Sequence, residues 1–417
     1  MIAAATTVCI VLVCLAVYQV LLTGGFVVNT RTRPLREVAD ADLPPIAVLM
    51  AMRGADPDLA EGLRRLMRQD YPDYELRVVV DSEQDPAWPI AHSVVEETGS
   101  TNVRIEPLRS RPDNCSLHCA SLVQLAEELD DGRQVFVLAD SDVVGHERWL
   151  RELVGPIAAG EADATSGNRW YMPPEGRVGS LVRYVWNAAA LLSMYWFRIP
   201  WGGTFAGRTS DLRSSGLVDR WRKALAVDAP IYNCWRSVES RSRFVPSLIM
   251  INREECGFAA NFVFICRQLL WTRLYQPASF WWPIVVHAFV TSASLAAAVA
   301  LTVVGLVVTS WATVAWSAGG LAAYLAAMGL SLTLLEYRVA RIARERGERA
   351  AWISPAVLAK LILVIPLTQC VHMAAVLTVL LRNQIDWRGV TYEIRGSYDV
   401  RLVADRPVDS GKPLNSI

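Results

Sequence analysis

Two long uncharged stretches set the first limit on this chain. Residues 2–28 and residues 284–335 contain no Asp, Glu, Lys or Arg. A helix needs roughly 20 apolar residues to cross the hydrocarbon of a bilayer, so the first stretch suffices for one span and the second for two. No basic segment precedes the first stretch and no small-residue cleavage site follows it, so residues 1–28 read as a signal anchor and not as a cleaved leader. Arg31, Arg33 and Arg36 come directly after it, and positive charge of this kind holds the flanking segment in the cytoplasm.

The second stretch tests that orientation. Ser310 and Trp311 offer a break in its middle, giving two helices joined by a short outer turn. The chain then returns through Arg338, Arg341, Arg344, Arg346 and Arg349, as a cytoplasmic loop should. Phe280, Trp281, Trp282 and Pro283 stand where an aromatic belt belongs. Residues 356–381 are also long enough to span, but they carry Lys360, Gln369, His372 and a central Pro366. A full span would place Arg382, Arg388, Arg395 and Arg401 outside. The expectation is therefore a kinked re-entrant or interfacial hairpin, with the tail 382–417 in the cytoplasm.

Between the anchors the pattern changes. Apolar runs at 46–52, 76–80, 103–108 and 134–139 alternate with amphipathic stretches at 58–68, 89–97, 116–129 and 146–158. Alternation at this spacing predicts an α/β domain over 43–250, with a mostly parallel, Rossmann-like sheet. Ligands of such sheets collect beyond the carboxyl ends of the strands. Hydrophobic residues at 53% exclude a disordered chain, and 41 basic against 41 acidic residues exclude a global nucleic-acid footprint. The eight cysteines are scattered and read as reduced thiols.

Acidic residues follow two of the apolar runs. Val80 leads into Asp81, and Ala139 leads into Asp140-Ser141-Asp142. Two carboxylates one residue apart beyond a buried strand repel each other unless solvent or a divalent cation lies between them. Mg2+ or Mn2+, shared with substrate phosphates, suits that position. Asp228, after the stretch 221–226, reads on its own as a helix cap.

Taken as a set, these residues resemble a known family. Gln69-Asp70-Tyr71-Pro72 leading into Val80-Asp81-Ser82-Glu83, then Asp140-Ser141-Asp142, Asp228, and Arg267-Gln268-Leu269-Leu270-Trp271 occur in the order seen in inverting membrane glycosyltransferases. That group includes ceramide glucosyltransferase and the hopanoid lipid glycosyltransferases. Trp387-Arg388-Gly389 is similar to a C-terminal signature of its bacterial members. The resemblance implies a GT-A domain in the cytoplasm, in an inner or plasma membrane protein. It implies Asp228 as general base and a metal on Asp140 and Asp142. It also implies a nucleotide-sugar pocket using Arg53, Gly54, Asp81, Glu83, His118 and Asp140. Leu270 stands where the family has arginine, so Arg267 or Arg273 is expected to supply the cation beside Trp271 for acceptor or pyrophosphate. Gly203 and Thr204 permit close approach of sugar or acceptor, or simply make a tight turn. His118 is either a phosphate contact titrating near neutral pH or a helix histidine.

The acceptor follows from the anchors, since a lipid hydroxyl must be met at headgroup level. Residues 257–283 are expected as an interfacial helix that guides the lipid, or as a core helix on the sheet. The expected activity is transfer of a hexose or N-acetylhexosamine from a UDP-sugar to a ceramide-like, hopanoid or diacylglycerol acceptor. Polyprenyl-phosphate transfer shares this topology and is the alternative. A polysaccharide synthase is a second alternative, but it also needs a translocation channel, and three or four spans and the changed Arg-Trp motif count against it. A transporter would need more intramembrane charge.

Overall fold

The computed structural model describes residues 1–31, 37–348, 350 and 354–408. Arg33, Arg36, Arg349 and the tail beyond Val408 lie outside the described residues.

Helix α1 (Ile2–Asn29) runs through the first uncharged stretch. Seven strands then form one sheet: β1 (Ile46–Met52), β2 (Tyr74–Val80), β3 (Val103–Pro107), β4 (Val135–Ala139), β5 (Ala164–Tyr171), β6 (Thr204–Arg208) and β7 (Ser242–Asn252). Their order is β3-β2-β1-β4-β6-β5-β7. The first four are parallel, linked by α2 (Leu59–Leu66), α3 (Ala87–Thr98) and α4 (Leu117–Glu127). After α5 (Trp149–Ala158) the sheet turns mixed, because β6 runs antiparallel to both β4 and β5. Strand β4 is buried at all five positions, as a strand covered on both faces must be. The alternation of elements expected from the sequence is present, with ends shifted by up to three residues.

Helix α6 (Val178–Phe197) and the short α7 (Thr209–Ser214), α8 (Leu217–Trp221) and α9 (Ala229–Ser237) complete the domain. The segment expected as one helix over 257–283 is broken. Helix α10 (Phe258–Tyr275) stops before Pro277, which has no N–H to continue it, and α11 (Ala278–Val307) starts afresh. Helix α10 packs between α9, α6 and the membrane helices, so it is a wall of the domain and not a helix lying free on lipid.

Helix α12 (Trp311–Glu345) begins one residue after Ser310, at the expected break. It lies parallel to α1. Gly320 approaches so closely that a Cβ there would stand 2.7 Å from the Cys9 Cα, the small-residue packing that apolar helices use in place of a hydrophobic drive. At the other end Arg338 bonds the hydroxyl and carbonyl of Thr30. Two residues earlier, Glu336 accepts from Trp170 Nε1 at 2.8 Å and Tyr184 Oη at 3.2 Å, which ties β5 and α6 to the membrane helix.

Residues Pro355–Leu381 form one continuous helix, α13, and not the hairpin expected from Pro366. A proline inside a helix loses one backbone bond, and the packing of α13 on α6, α10 and α11 tolerates that loss. Four helices are thus long and apolar enough to cross a membrane. Yet both ends of α13 meet the α/β domain. Lys360 Nζ donates to the Gly176 carbonyl at 3.4 Å, and Arg273 donates to the Val379 carbonyl. The tail therefore starts on the domain's side. There it folds into a separate antiparallel sheet of β8 (Gln384–Trp387), β9 (Val390–Gly396) and β10 (Asp399–Asp405), which pairs with itself and not with the main sheet.

This arrangement predicts the labelling of single cysteines added to a cysteine-free background. An impermeant thiol reagent should reach Lys223→Cys and Ser397→Cys from the same side of the membrane, and Val308→Cys from the other. Ser397→Cys labelling together with Val308→Cys would make α13 a true span.

Candidate active site

The site forms where β1, β2 and β4 end. Strands β1 and β2 pair Met52 with Val80, so the residues that leave them, Arg53 and Asp81, meet in a salt bridge. Arg111 adds a second contact to Asp81 at 3.1 Å. Gly54 and Glu83 do not join them. The Gly54 amide donates to Asp85 at 2.9 Å and the glycine shapes the turn with φ 77°, while Glu83 is exposed and outside the cavity.

Strand β4 pairs Ala139 with Thr204 of β6, which brings Gly203 beside Asp140. A Cβ on Gly203 would stand 2.7 Å from Asp140 Oδ2, so only glycine fits. Thr204 is buried within the strand and donates to the Gly203 carbonyl, away from the cavity. Ser141 turns inward to Asp56 at 2.5 Å, which leaves Asp140 and Asp142 on the cavity side. Burial, then Asp142 beside it, push Asp140 up to about 7. Burial also raises Asp142, against the pull of Arg169. Asp142 Oδ1 is buried without a hydrogen-bond partner.

That orphaned oxygen and the paired carboxylates fit a divalent cation. Among the described residues no third acid, histidine or cysteine closes the set. A cation here would keep coordination positions for substrate phosphate and water, which is how magnesium-type sites are commonly completed.

Asp228 occupies the cap position of α9 but does not cap it. Its Oδ2 accepts from the Gly202 amide at 3.3 Å, and its carboxylate faces the cavity. Burial raises its proton affinity, opposed by the Gly202 amide and Arg169. Both settings suit a base that must hold a proton transiently.

Two cavities meet here. One, of about 110 Å³, is polar and holds Arg53, Asp81, His118, Asp140, Asp142 and Arg267. The other, of about 530 Å³, is lined by α1, α6, α10, α11 and α13 and is largely apolar. Arg169, Trp201, Asp228, Gln268 and Trp271 belong to both walls.

Arg267 is 5% exposed and makes no ion pair among the described residues. Its guanidinium lies 5.2 Å from the Trp271 ring and 5.3 Å from the Trp387 ring, and its Nε has no partner. Burial and the nearby Arg169 and Arg388 bring it down to about 9, so it stays charged at neutral pH. Arg273 points away, to α13, and lines neither cavity. His118 does line the polar cavity, against Trp387. Burial, then Arg388 and Arg267, depress it to about 4, which favours the neutral form over the titrating one among the two readings left open by the sequence.

Two cations had no role in the sequence reading. Arg169 is the single charge in β5, and a charge inside a buried strand is the signal that marks it. Arg388 arrives from the tail, 335 residues after its partner Arg53.

The sequence matches glycosyl transferase family 21 over residues 3–399. The chain belongs to that family. A stretch of 101 residues is 28% identical to ceramide glucosyltransferase of Gibberella zeae, and spans 23% of this chain and 19% of that relative. The chain therefore matches only about a fifth of the length of this curated relative. Among solved structures, the mannosyltransferase PcManGT from Pyrobaculum calidifontis, in complex with GDP-Man and Mn2+, superposes with a TM-score of 0.50. It covers 90% of this chain and 99% of its own at 16% identity, a likeness of fold. Glucosyl-3-phosphoglycerate synthase from Mycobacterium tuberculosis, in complex with Mn2+ and UDP-glucose, covers 58% of this chain at 18% identity, 84% of its own, and a TM-score of 0.36. The family 21 chain is thus a glycosyltransferase with a GT-A domain and membrane-spanning helices.

The neutral state of His118 is testable. Across about pH 5–8, where an unperturbed histidine changes charge, His118→Gln should scale the rate without altering the shape of the pH–rate profile. Loss of an inflection near neutral pH in the variant would show that His118 titrates.

Proposed function

We propose that this family 21 enzyme transfers a hexose or N-acetylhexosamine from a UDP-sugar to the hydroxyl of a membrane lipid, with inversion, at the cytoplasmic face. The observation that carries the reading is the shared wall at Asp228. One side of that carboxylate faces the polar cavity with its paired acids and unpaired arginines, and the other faces an apolar cavity among the membrane helices. A soluble acceptor would need no such cavity. The stretch similar to the Gibberella zeae ceramide glucosyltransferase points to the same class of acceptor.

In the reaction, Asp228 takes the proton of the lipid hydroxyl. The lipid oxygen bonds to the anomeric carbon from the face opposite the diphosphate, and the bond from that carbon to the diphosphate oxygen breaks. Its electron pair leaves with the nucleoside diphosphate. Arg267 and Arg169 attract the developing charge, in surroundings where water screens little. A divalent cation on Asp140 and Asp142 supplies Lewis-acid neutralisation of the diphosphate when bound. Asp81 and Arg53, which line the donor cavity, would recognise the base or ribose, and Trp201 and Trp271 line both cavities.

Three variants separate the roles. Asp228→Asn keeps the shape but cannot take the proton, so transfer should fall roughly 10²–10⁴-fold while binding of UDP survives. Wild-type turnover would reduce Asp228 to a cap. Asp142→Ala should lose the response of activity and of UDP binding to added Mn2+, and full activity in chelator would remove the metal from the scheme. Ala190→Trp places an indole in the apolar cavity. It should raise the KM for a lipid acceptor and leave the KM for the donor unchanged. An unchanged acceptor KM would place the lipid elsewhere.

A further inference from the structure

The tip of the tail sheet reaches into the donor cavity. Trp387 pairs with Val390, so Arg388 and Gly389 form a two-residue turn, both with positive φ, 50° and 80°. Asn or Gly takes such a position at little cost, and an arginine there is held against its backbone preference. Non-glycine residues kept in this region tend to mark working sites.

What holds the tip is a reciprocal clasp. Arg53 Nε donates to the Arg388 carbonyl at 2.9 Å, and Arg388 Nη1 donates to the Arg53 carbonyl at 2.5 Å. Arg388 Nη2 pairs with Asp56 at 2.8 Å, and its side chain is only 13% exposed. Behind the tip, Asp405 bridges Arg53 and Arg111, the two cations that also hold Asp81. The Leu117 amide donates to Tyr392 Oη at 3.1 Å, which docks β9 on the start of α4.

Two of the five guanidinium N–H groups of Arg388 are thus engaged, and three are left to offer. The side chain lines the same cavity as Asp140 and Asp142. Leu270, which stands where the family resemblance would place arginine, is 4% exposed and lines neither cavity, so helix α10 does not supply that cation at that position.

We propose that the tail completes the donor site, with Arg388 binding the diphosphate of the nucleotide donor opposite Arg267 and across the Trp387 ring. The inference rests on the donor being a nucleoside diphosphate sugar, as argued above. Arg388 would then touch the leaving group directly, and the reciprocal clasp would set its position.

The test uses the full chain in detergent, with UDP and GDP as parallel probes, each with Mn2+. Thermal protection, donor KM and acceptor KM are measured for wild type, Arg388→Gln, Arg388→Lys and the double variant Asp56→Asn/Arg388→Gln. In Arg388→Gln the donor KM should rise roughly 10- to 100-fold, the range for a lost hydrogen bond to a charged group. Acceptor KM should hold, and protection by the nucleoside diphosphate should fall. Arg388→Lys should recover part of both, and it carries the test if the glutamine variant melts too low without nucleotide. The double variant should stay defective. Recovery of wild-type donor KM in the double variant would make Arg388 merely the counterion of Asp56 and overturn the inference. Equal protection of wild type and Arg388→Gln would overturn it as well, while leaving the donor reading intact. Failure of both nucleotides to protect wild type would instead bring down the donor reading itself, and this inference with it.

Discussion

The rest of the structure is organised around charges kept close to a membrane. Asp140, Asp142 and Asp228 lie with Arg169, Arg267 and Arg388 in one enclosed space. Removing charges of either sign from water is costly, and the cost is tolerable only when opposite charges share the enclosure. Each cation comes from a different element: a strand, a helix and the tail. Strand β5 carries Arg169, and its next residue, Trp170, is hydrogen-bonded to Glu336 of α12. A displacement of the membrane helix would therefore be felt one residue from the reacting centre. The helices do more than tether the domain, because they fix the strand that supplies a charge.

The aromatic rings serve the same end. Among the described residues, buried Arg267 and half-buried Arg169 of this site have no carboxylate ion pair, and each lies against several rings. A ring face attracts a guanidinium without satisfying its N–H donors. Both cations are thereby held in place with hydrogen-bonding capacity left for an anion. A carboxylate in the same position would have used that capacity.

The amount legible in the sequence followed from how local each signal was. Buried strands announce themselves as apolar runs, and the acids that follow them inherit the position, so Asp81, Asp140 and Asp142 were readable. Asp228 looked like a cap because its backbone is one, and only the resemblance singled it out. Glu83 and Arg273 were misplaced because sequence proximity to a motif does not fix the direction of a side chain. Glu83 faces solvent, and Arg273 turns to a carbonyl on α13. His118 kept its place in the cavity, but burial, and then two arginines distant in sequence, lower its affinity for a proton. Arg388 stood out only as part of the Trp387-Arg388-Gly389 signature, and its place in the site was not legible because the contact that puts it there closes a loop of 335 residues. Pro366 misled in the opposite direction. One missing backbone bond seemed enough to turn the chain, but packing along the whole of α13 outweighed it.

In the proposed reaction, the meeting of the two cavities bears on how sugar would pass to a lipid and not to water. An activated sugar beside a carboxylate base is open to hydrolysis whenever a water molecule can occupy the acceptor position. In that reading the acceptor side of Asp228 is a cavity of about 530 Å³ with largely apolar walls, which shares Trp201 and Trp271 with the donor side. An apolar cavity holds water poorly unless several polar partners are within reach. A lipid chain fills it favourably, at roughly 25 cal/mol for each Å² of apolar surface removed from water. The same walls that admit the lipid therefore disfavour its competitor at the base. Discrimination then needs no dedicated recognition of the hydroxyl itself. It follows from placing the base at the boundary between a polar enclosure and an apolar one.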